Sequence, residues 1–411
     1  MARLGTLLLW LIIILLLAVG IAPRFLDRVY FEGPVGSHFD GERFFNPDGE
    51  DTNRPPAGRS RGGFIMRYLL GMDDRPEWPE HVAVTPARPR ALPALKAGEM
   101  RVTWVGHATV LVETPGFNLL TDPIWSDYAS PFPGLGPRRV AAPGIRFDDL
   151  PHIDLIVVSH NHYDHMDVPT LRRVWTRDKP MVVTSLGNDT ILKDKGIGAG
   201  APERVVALDW GTGLSSASTC EAGQPACPTF SVAVTRNHHW SSRWGVDRNR
   251  ALWSSFMVDT PSGRVFFAGD TGFGNGRWAE EAGAQAGPPI RLAILPIGAF
   301  RFQPGQMGIG SHIGPGDALR VWQRLGRPYS LPIHWGTFRL SSEAYDTPPR
   351  MLAELMRCTG MDATQFTGWK IGRPTMVPPV GASKGGAVSD IARVDAAVAH
   401  CLTTEPVTAL R

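Results

Sequence analysis

The sequence predicts an α/β fold in which two β-sheets pack together and helices cover their outer faces. From Met100 onward, short apolar runs typical of buried strands recur along the chain, for example in IDLIVVSH, RVFFAGD and LAILPIG. Segments with a helical pattern lie between them, at 167–177, 278–286, 316–325 and 349–358. Glycine (45) and proline (36) together make up about a fifth of the 411 residues, which predicts many turns.

Composition excludes several classes of protein. Apolar residues make up 43% of the chain and charged residues 20%, values that argue against wholesale disorder and against a coiled coil. Lys plus Arg total 42 and Asp plus Glu total 39, so the net charge is only +3. A dedicated nucleic-acid binder would carry a strongly basic domain, and we therefore expect no nucleic-acid partner.

The N-terminal run 4–22 has no charged residue and, as a helix, would nearly span a hydrocarbon core of about 30 Å. We favour an uncleaved membrane anchor, because the run is longer than the hydrophobic region of most signal peptides. Cleavage after Ala22 would also place Pro23 at the new N-terminus. A cleaved signal peptide and a buried helix are the alternatives. Basic residues flank both ends of the run, so the positive-inside rule leaves the orientation open.

The rest of the chain divides into three parts. Residues 23–98 are rich in Pro, Arg, Gly and Asp and predict an extended arm, with a short helix near 63–70. Residues 99–377 form the predicted catalytic domain. It opens with one long strand, Arg101 to Glu113, and a second strand, Phe117 to Thr121, after a Pro-Gly turn. Residues 378–411 are rich in small residues and predict a weakly ordered tail.

Two of the four cysteines, Cys220 and Cys227, bracket the polar stretch EAGQPA. This spacing is compatible with a small disulfide-closed loop in an oxidising compartment, or equally with two unpaired thiols. Neither cysteine pair has the CxxC spacing of a thiolate zinc site. The cysteine pair and the signal-like run together favour a catalytic domain on the outer, periplasmic face of the membrane.

The segment SHNHYDHMD carries most of the chemical information. It places His160, His162, Asp164 and His165 within six residues, directly after an apolar strand. Imidazole nitrogen and carboxylate oxygen are good ligands for zinc-like divalent ions. Four such ligands are too dense to converge on one tetrahedral ion from a regular element, whereas a loop can divide them between two metals.

Polar residues follow three further apolar strands, where the sites of layered α/β proteins gather. Asp270 follows RVFFA, and Gly269 and Gly272 beside it allow a tight turn. His334 follows SLPI, and the pair His238–His239 follows TFSVAVT.

Several of these segments resemble a known family. WVGHATVLVE, TDPIW, SHNHYDHMD, NHHWSSR, FFAGDTGF and PIHWGTF are similar to the metallo-β-lactamase superfamily, over roughly 101–370. They look most like its branch of N-acyl-phosphatidylethanolamine-hydrolysing phospholipases D, which also carries FFNP ahead of its core. The resemblance implies a four-layer αββα sandwich, here with an N-terminal hydrophobic helix.

The resemblance also implies the ligand set for two zinc ions per chain, with manganese or iron as alternatives. His160, His162 and His239 would hold one ion, and Asp164, His165 and His334 the second. Asp270 would bridge the two ions. His239 is preferred to His238 because the branch pattern places a Trp directly after the ligand, as Trp240 is here.

Residues around the ligands have narrower predicted roles. Asp122 in TDP is expected to orient a ligand imidazole, or alternatively to cap a turn. His107, read as a mid-strand residue, is a weaker candidate for the same task. His312 matches a histidine of the branch and would donate a proton or contact the substrate. Asp164, Asp270 and His312 are thus the residues expected to act in catalysis.

The expected activity is that of a zinc-dependent phosphodiesterase of phospholipase D type. A hydroxide shared by the two metals would attack N-acyl phosphatidylethanolamine or a related lipid phosphodiester. An ester, lactone or amide hydrolase on the same site is the alternative, and a non-catalytic membrane-anchored binder is a third reading. The expected partners are a membrane lipid or small phosphodiester, and the membrane itself through the N-terminal helix. A homodimer is one arrangement that the sequence allows.

Overall fold

A computed structural model gives the structure of the chain. It describes residues 2–49, 75–132, 134–216, 229–303, 310–366, 369–381 and 391–410, together with residues 63, 66, 67, 72 and 306. The predicted helix near 63–70 therefore lies largely outside the described residues. Cys220 and Cys227 also lie outside the described residues, so both readings of this pair, a disulfide or two unpaired thiols, stay open.

The first sheet takes six strands from the N-terminal half of residues 99–377 and one strand from the C-terminal end of that range. Its strands are β1 (Arg101–Gly106), β2 (Thr109–Thr114), β3 (Phe117–Thr121), β4 (Leu155–Val158), β5 (Met181–Ser185), β6 (Val205–Leu208) and β13 (Thr375–Met376). Within the described part of the chain their order is β13-β1-β2-β3-β4-β5-β6. Strands β3 to β6 are parallel, and β4 and β5 are buried along their whole length, as strands covered on both faces should be.

The second sheet is built from the strands that follow. They are β7 (Gly213–Ser215), β8 (Ser231–Thr235), β9 (Ser255–Thr260), β10 (Gly263–Phe267), β11 (Ile290–Pro296) and β12 (Tyr329–Ile333). Their order is β12-β11-β10-β9-β8-β7, with β10, β11 and β12 parallel to one another. Each apolar run that was predicted to be a strand thus forms one. The described residues also contain two short strands that were not predicted, β7 and β13.

The helices of the described residues are α1 (Ala2–Leu26), α2 (Val168–Asp178), α3 (Asn188–Asp194), α4 (Arg277–Gly283), α5 (Pro315–Arg324), α6 (Thr347–Thr359), α7 (Ile391–Cys401) and α8 (Glu405–Thr408). Helices α2 to α8 cover the outer faces of the two sheets. One apolar core lies between the sheets, a second packs α2 and α3 on the first sheet, and a third packs α4 to α8 on the second. The mixed α/β fold with two sheets, predicted from the sequence, is confirmed.

Helix α1 covers the apolar N-terminal run. Among the described residues, no helix combines the length and the apolarity needed to cross a bilayer.

One predicted strand is wrong. Residues 101–113 form two antiparallel strands, β1 and β2, and the turn between them begins where Gly106 pairs with Thr109. His107 therefore lies in a tight turn, with a φ of 54°, and not in the middle of a strand. The apolar residues on both sides of the turn hid it in the sequence pattern.

The predicted weakly ordered tail is also corrected by the described residues. Helices α7 and α8 pack into the core of the second sheet through Val394, Val398 and Val407. A disulfide joins Cys401, at the end of α7, to Cys358 in α6. The sequence did not reveal this pair, because the two cysteines lie 43 residues apart and have no motif spacing.

Candidate metal centre

The ends of five strands meet at one edge of the two-sheet sandwich. Polar residues follow β3, β4, β8, β10 and β12 within a few positions, and the fold brings these residues together as the sequence predicted. They are, in chain order, Asp122, His160, His162, Asp164, His165, His239, Asp270 and His334.

The loop after β4 supplies half of them. The backbone N–H groups of His165 and Met166 both donate to the carbonyl of His162, which bends the loop into a tight turn. His160 and His165 are buried, and the first two ligands of the loop cluster with His239 while the last two cluster with His334. The dense H-x-H-x-D-H spacing therefore divides into two groups, as a loop allows and a regular helix or strand would not.

The first group consists of His160, His162 and His239. Nδ1 of His162 lies 2.8 Å from Nε2 of His160 and 3.4 Å from Nε2 of His239. The ring of His239, and not that of its neighbour His238, joins this group. Three imidazole nitrogens that approach one another this closely cannot all carry protons, and a shared cation is the arrangement that satisfies them.

The second group consists of Asp164, His165 and His334. Nε2 of His165 lies 3.3 Å from Nε2 of His334, and Oδ2 of Asp164 lies 3.5 and 3.6 Å from these two nitrogens. A tetrahedral metal with ligand distances of about 2.0–2.1 Å needs its ligand atoms about 3.3–3.4 Å apart. The second group therefore fits one divalent ion.

Asp270 lies between the two groups. Its Oδ2 is 3.0 Å from Nε2 of His165 and 3.1 Å from Nε2 of His334, and its carboxylate also clusters with His239 within 4.8 Å. Both of its oxygens are buried, and among the described residues neither has a hydrogen-bond partner of normal geometry. A buried carboxylate is costly unless cationic groups neutralise it, and the polar atoms next to Asp270 are imidazole nitrogens that can also bind a metal. The residues present thus fit a metal centre that Asp270 spans.

The turn after β10, which positions Asp270, requires a glycine at position 269. Gly269 has a φ of 60°, in the left-handed region, and a Cβ at this position would lie 2.6 Å from Cβ of Ser159. The chain after β10 therefore passes directly against the start of the ligand loop. This close approach is what places Asp270 next to His165.

Hydrogen bonds outside the two groups fix the direction of the ligand rings. Nδ1–H of His165 donates to Asp122 at 2.6 Å, and Nδ1–H of His239 donates to the Ser311 carbonyl at 2.7 Å. Nδ1 of His334 lies 3.3 Å from the Gly298 carbonyl. In each ring Nδ1 faces the outer acceptor and Nε2 faces the group, which is the orientation that a metal ligand requires.

Asp122 and His107 both contact candidate ligands, as the sequence predicted, although His107 lies in a turn and not in a strand. Asp122 accepts bonds from the backbone N–H and hydroxyl of Ser159 as well as from His165. Nε2 of His107 lies 2.9 Å from Oδ2 of Asp164, and its ring centroid lies 4.1 Å from that of His334. His107 therefore contacts the same carboxylate oxygen of Asp164 that faces His165 and His334, and it lies within the same cluster of side chains.

Backbone strain concentrates at the site. His107, Asp122 and His334 all have a positive φ, at 54°, 31° and 65°. Each such residue costs on the order of 1–3 kcal/mol, and it persists only when surrounding contacts require it. Three residues that hold or form the candidate ligand set thus have strained backbone conformations, which their surrounding contacts maintain.

Burial and charge set the protonation of the imidazoles. Burial lowers the pKa of His162 to about 3 and the pKa of His160 and His239 well below 6.5, so the neutral, ligand-competent rings prevail at neutral pH. Burial also opposes a charge on His165 and His334, but the carboxylates of Asp270 and Asp164 outweigh it. They raise the pKa of His334 to about 9 and that of His165 well above 6.5. The carboxylates of Asp164 and Asp270 thus favour positive charge at the second group.

A cavity of about 390 Å³ opens onto both groups. His312 lines it, and Nδ1 of this histidine is buried 3.7 Å from Oδ2 of Asp270, without a hydrogen-bond partner among the described residues. Burial lowers the pKa of His312 to about 3, so the ring faces the cavity in its neutral form. Trp240, Phe302 and Leu340 supply apolar walls. Among the described residues that line the cavity, none is Lys or Arg.

Two supports of the site were not identified in the sequence. The carbonyls of Ser311 and Gly298 orient ligand rings, and a backbone carbonyl has no signature in a residue pattern. The amide of Asn46, in the N-terminal arm, donates to the carbonyl of His239 at 3.0 Å. Asn46 belongs to the FFNP segment, but its contact spans 193 positions and could not be foreseen.

The fold and the His/Asp centre together define a metal-dependent hydrolase. The family profile described as the beta-lactamase superfamily domain matches residues 117–335, more than half of the chain. The chain belongs to this superfamily, as the sequence motifs indicated.

Two curated relatives and one solved structure illustrate the similarity. The chain is 37% identical over 257 residues to "N-acyl-phosphatidylethanolamine-hydrolyzing phospholipase D 1" of Caenorhabditis elegans, covering 62% of this chain and 69% of that one. It is 29% identical over 327 residues to the mitochondrial protein of the same description from Saccharomyces cerevisiae, covering 74% and 66%. A possible metal-dependent hydrolase from Veillonella parvula shares the fold, with a TM-score of 0.50 at 14% identity, over 67% of this chain and 99% of that one.

Proposed function

We propose that the chain is a binuclear zinc hydrolase that cleaves N-acyl phosphatidylethanolamine or a related lipid phosphodiester. The observation that carries the proposal is the position of Asp270. Its carboxylate is buried, lacks hydrogen-bond partners of normal geometry among the described residues, and lies against ligand atoms of both groups. Such a carboxylate fits a bridge between two divalent ions.

In this proposal, His160, His162 and His239 hold one ion, and Asp164, His165 and His334 hold the other. When bound, ions of this kind act as Lewis acids toward a phosphoryl oxygen and acidify water. His312 lies at the cavity wall beside Asp270, where its neutral ring can orient a substrate oxygen through a hydrogen bond. The described lining residues carry no cationic side chain, so the negative charge of a phosphate would have to be met by the metals.

The lipid phosphodiester is supported by the two relatives, whose descriptions name N-acyl phosphatidylethanolamine. The cavity is also consistent with it. A volume of about 390 Å³ accommodates a polar headgroup and its phosphate but not two acyl chains. The apolar walls formed by Trp240, Phe302 and Leu340 would contact the parts of the lipid next to the phosphate.

A substrate panel tests the reaction. Zinc-loaded protein is incubated with mixed micelles of N-acyl phosphatidylethanolamine, and the products are separated by mass. We expect phosphatidic acid and N-acyl ethanolamine to appear. Cleavage of aryl esters or lactones without any phosphodiester cleavage would instead establish the alternative ester, lactone or amide hydrolase.

The D270A variant tests the binuclear centre. We expect it to bind one or fewer ions per chain, measured by metal analysis after gel filtration, and to lose phosphodiester cleavage. The D259N variant is a matched control, because Asp259 is a carboxylate in β9 that pairs with Arg264 and touches none of the candidate ligands. Survival of both activity and two-ion stoichiometry in D270A would contradict the assignment.

We further propose that the catalytic domain lies on the outer face of a membrane, anchored through the N-terminal run. The disulfide between Cys358 and Cys401 supports an oxidising compartment, since such bonds are rare in reducing ones. A phosphatase reporter, active only in an oxidising compartment, is fused after Arg411. Activity of the fusion supports the outer face, and its inactivity with a functional cytosolic reporter contradicts it.

A further inference from the structure

The N-terminal arm lies along the loop that carries His239. This loop follows β8 and has no regular secondary structure between His239 and Leu252. The hydroxyl of Tyr30 donates to Asp247 at 2.8 Å, and the backbone N–H of Phe44 donates to the Asn249 carbonyl at 2.8 Å. Residues 27–48 of the arm, which we call the clasp, therefore replace the neighbouring strand or helix that the loop lacks.

The clasp is itself anchored to the folded domain. The Phe44 side chain is buried with Phe39 and Trp253 in a small aromatic core. Asp27 accepts hydrogen bonds at 2.8 and 2.9 Å from the guanidinium of Arg250, which lies in the loop. A segment held by a buried aromatic and an ion pair has a fixed position, so it can position what it touches.

Within the clasp, Asn46 makes the contact nearest to the candidate metal centre. Its side-chain Nδ2–H donates to the backbone carbonyl of His239 at 3.0 Å. His239 has no exposed surface, so this carbonyl depends on the protein for its hydrogen bond. The Oδ1 of Asn46 is buried and has no hydrogen-bond partner among the described residues. The side chain of Asn46 therefore donates to the His239 carbonyl through Nδ2 although its own acceptor, Oδ1, is unsatisfied.

Two hydrogen bonds together determine where the lone pair of His239 points. The Ser311 carbonyl holds Nδ1 of the ring at 2.7 Å, and Asn46 holds the peptide that carries the ring. With both ends held, Nε2 faces Nδ1 of His162 at 3.4 Å. Without the Asn46 bond the peptide could rotate and the ring would lose its second point of support.

We propose that Asn46 is a positioning residue for the first group of the metal centre, acting through the His239 peptide. This inference rests on the proposed assignment of His160, His162 and His239 as metal ligands. Residues that orient a ligand from outside typically change metal affinity by about 10–100-fold when they are removed. When Asn46 is replaced, we expect the metal affinity of the first group to fall by about 10–100-fold and that of the second group to change little.

Three variants separate positioning from general destabilisation. N46A removes the donor, and N46D keeps the size of the side chain but replaces the donor by a second acceptor facing a carbonyl. R43A is the control, because Arg43 belongs to the clasp and contacts Asp27 and the Arg248 carbonyl but not His239. Thermal unfolding of the metal-free proteins reports any loss of stability common to all three.

The affinity of each group is measured in a background in which the other group is disabled. Full-length protein carrying H334A reports on the first group, and protein carrying H162A reports on the second. Zinc is titrated against a competing chromophoric chelator, so the readout is a dissociation constant and not activity. N46A and N46D should raise that constant by about 10–100-fold in the H334A background and leave it unchanged in the H162A background.

Two results would overturn the inference. One is an unchanged zinc dissociation constant at the first group in both N46A and N46D. The other is an equal loss in R43A, which would assign the effect to the clasp as a whole. Failure of the binuclear proposal gives a different result, namely fewer than two zinc ions bound to the protein without any substitution.

Discussion

The carboxylate Oδ2 of Asp122 lies 2.6 Å from Nδ1 of His165, and neither side chain has any exposed surface. Burial raises the pKa of Asp122, while the hydrogen bonds from His165 and Ser159 oppose that rise. The contact holds a proton of His165 on Nδ1 and turns Nε2 toward Asp164, Asp270 and His334. A residue outside the ligand set thus decides which nitrogen is available to a metal.

Substitution of Asp122 by Asn should weaken the second group. Asparagine preserves the shape, but its amide can offer an N–H to Nδ1 and so stabilise the wrong tautomer of His165. We expect zinc affinity at the second group to fall by about 10–100-fold, measured by chelator competition. D167N is the control, since Asp167 is another buried carboxylate and bonds Ser126 and Thr170 instead of a candidate ligand. An equal loss in D167N would contradict the orienting role.

Substitution of His312 by Ala should separate catalysis from metal binding. His312 faces Asp270 but is not part of either ligand group, so the variant should retain two ions per chain. Loss of a group that orients or protonates a reacting oxygen typically costs about 10²–10⁴-fold in rate, and we expect kcat to fall within that range. Loss of metal in parallel with activity would show instead that His312 is a ligand.

Removal of the disulfide should destabilise the fold without altering the metal centre. Cys358 and Cys401 close a loop of 43 residues, for which the chain-entropy relation gives up to about 4 kcal/mol of stabilisation. We expect the C358S/C401S double variant to lose stability of that order in urea unfolding. Its metal stoichiometry should not change, because neither α6 nor α7 carries a candidate ligand. A wild-type unfolding midpoint in the variant would contradict the expectation.

The ion pair of Asp259 and Arg264 should make the free energy of unfolding depend on pH in the acid range. Burial acts to raise the pKa of Asp259, but the hydrogen bonds and charge of Arg264 outweigh it and hold that pKa below 3.8. A carboxylate with a lowered folded-state pKa stabilises the fold above 3.8, and this contribution is lost as pH falls through the folded-state value. The side chain is 36% exposed, so we expect D259N to lose less than about 1 kcal/mol at neutral pH.

The measurement is urea unfolding of chelator-treated wild type and D259N across acid pH. Metal is removed beforehand so that its release does not contribute to the acid sensitivity. The difference in unfolding free energy between the two proteins should shrink once the pH falls below 3.8. A difference that stays constant through that range would show that the carboxylate charge does not contribute.

The sequence by itself determined the class of fold, and it predicted which His and Asp residues would come together as candidate ligands. His160, His162, Asp164 and His165 stand in a dense cluster directly after an apolar strand, and both features are local, so they can be recognised without coordinates. The strands that deliver Asp270 and His334 are also visible as apolar runs. Because strand ends in a layered α/β fold converge at one edge, these separate positions could be expected to meet.

Only the tertiary structure decided how the centre is held and how the C-terminal helices are fixed. The contacts between Asn46 and His239 and between Cys358 and Cys401 join positions far apart in the chain, and no local pattern encodes them. The TDP motif indicated an orienting role for Asp122 but not which imidazole it would contact. His107 looked like a strand residue because apolar neighbours surround it, and only the pairing of β1 with β2 revealed the turn. Residue type and spacing specify which groups are available, whereas packing decides their distances, their tautomers and their partners.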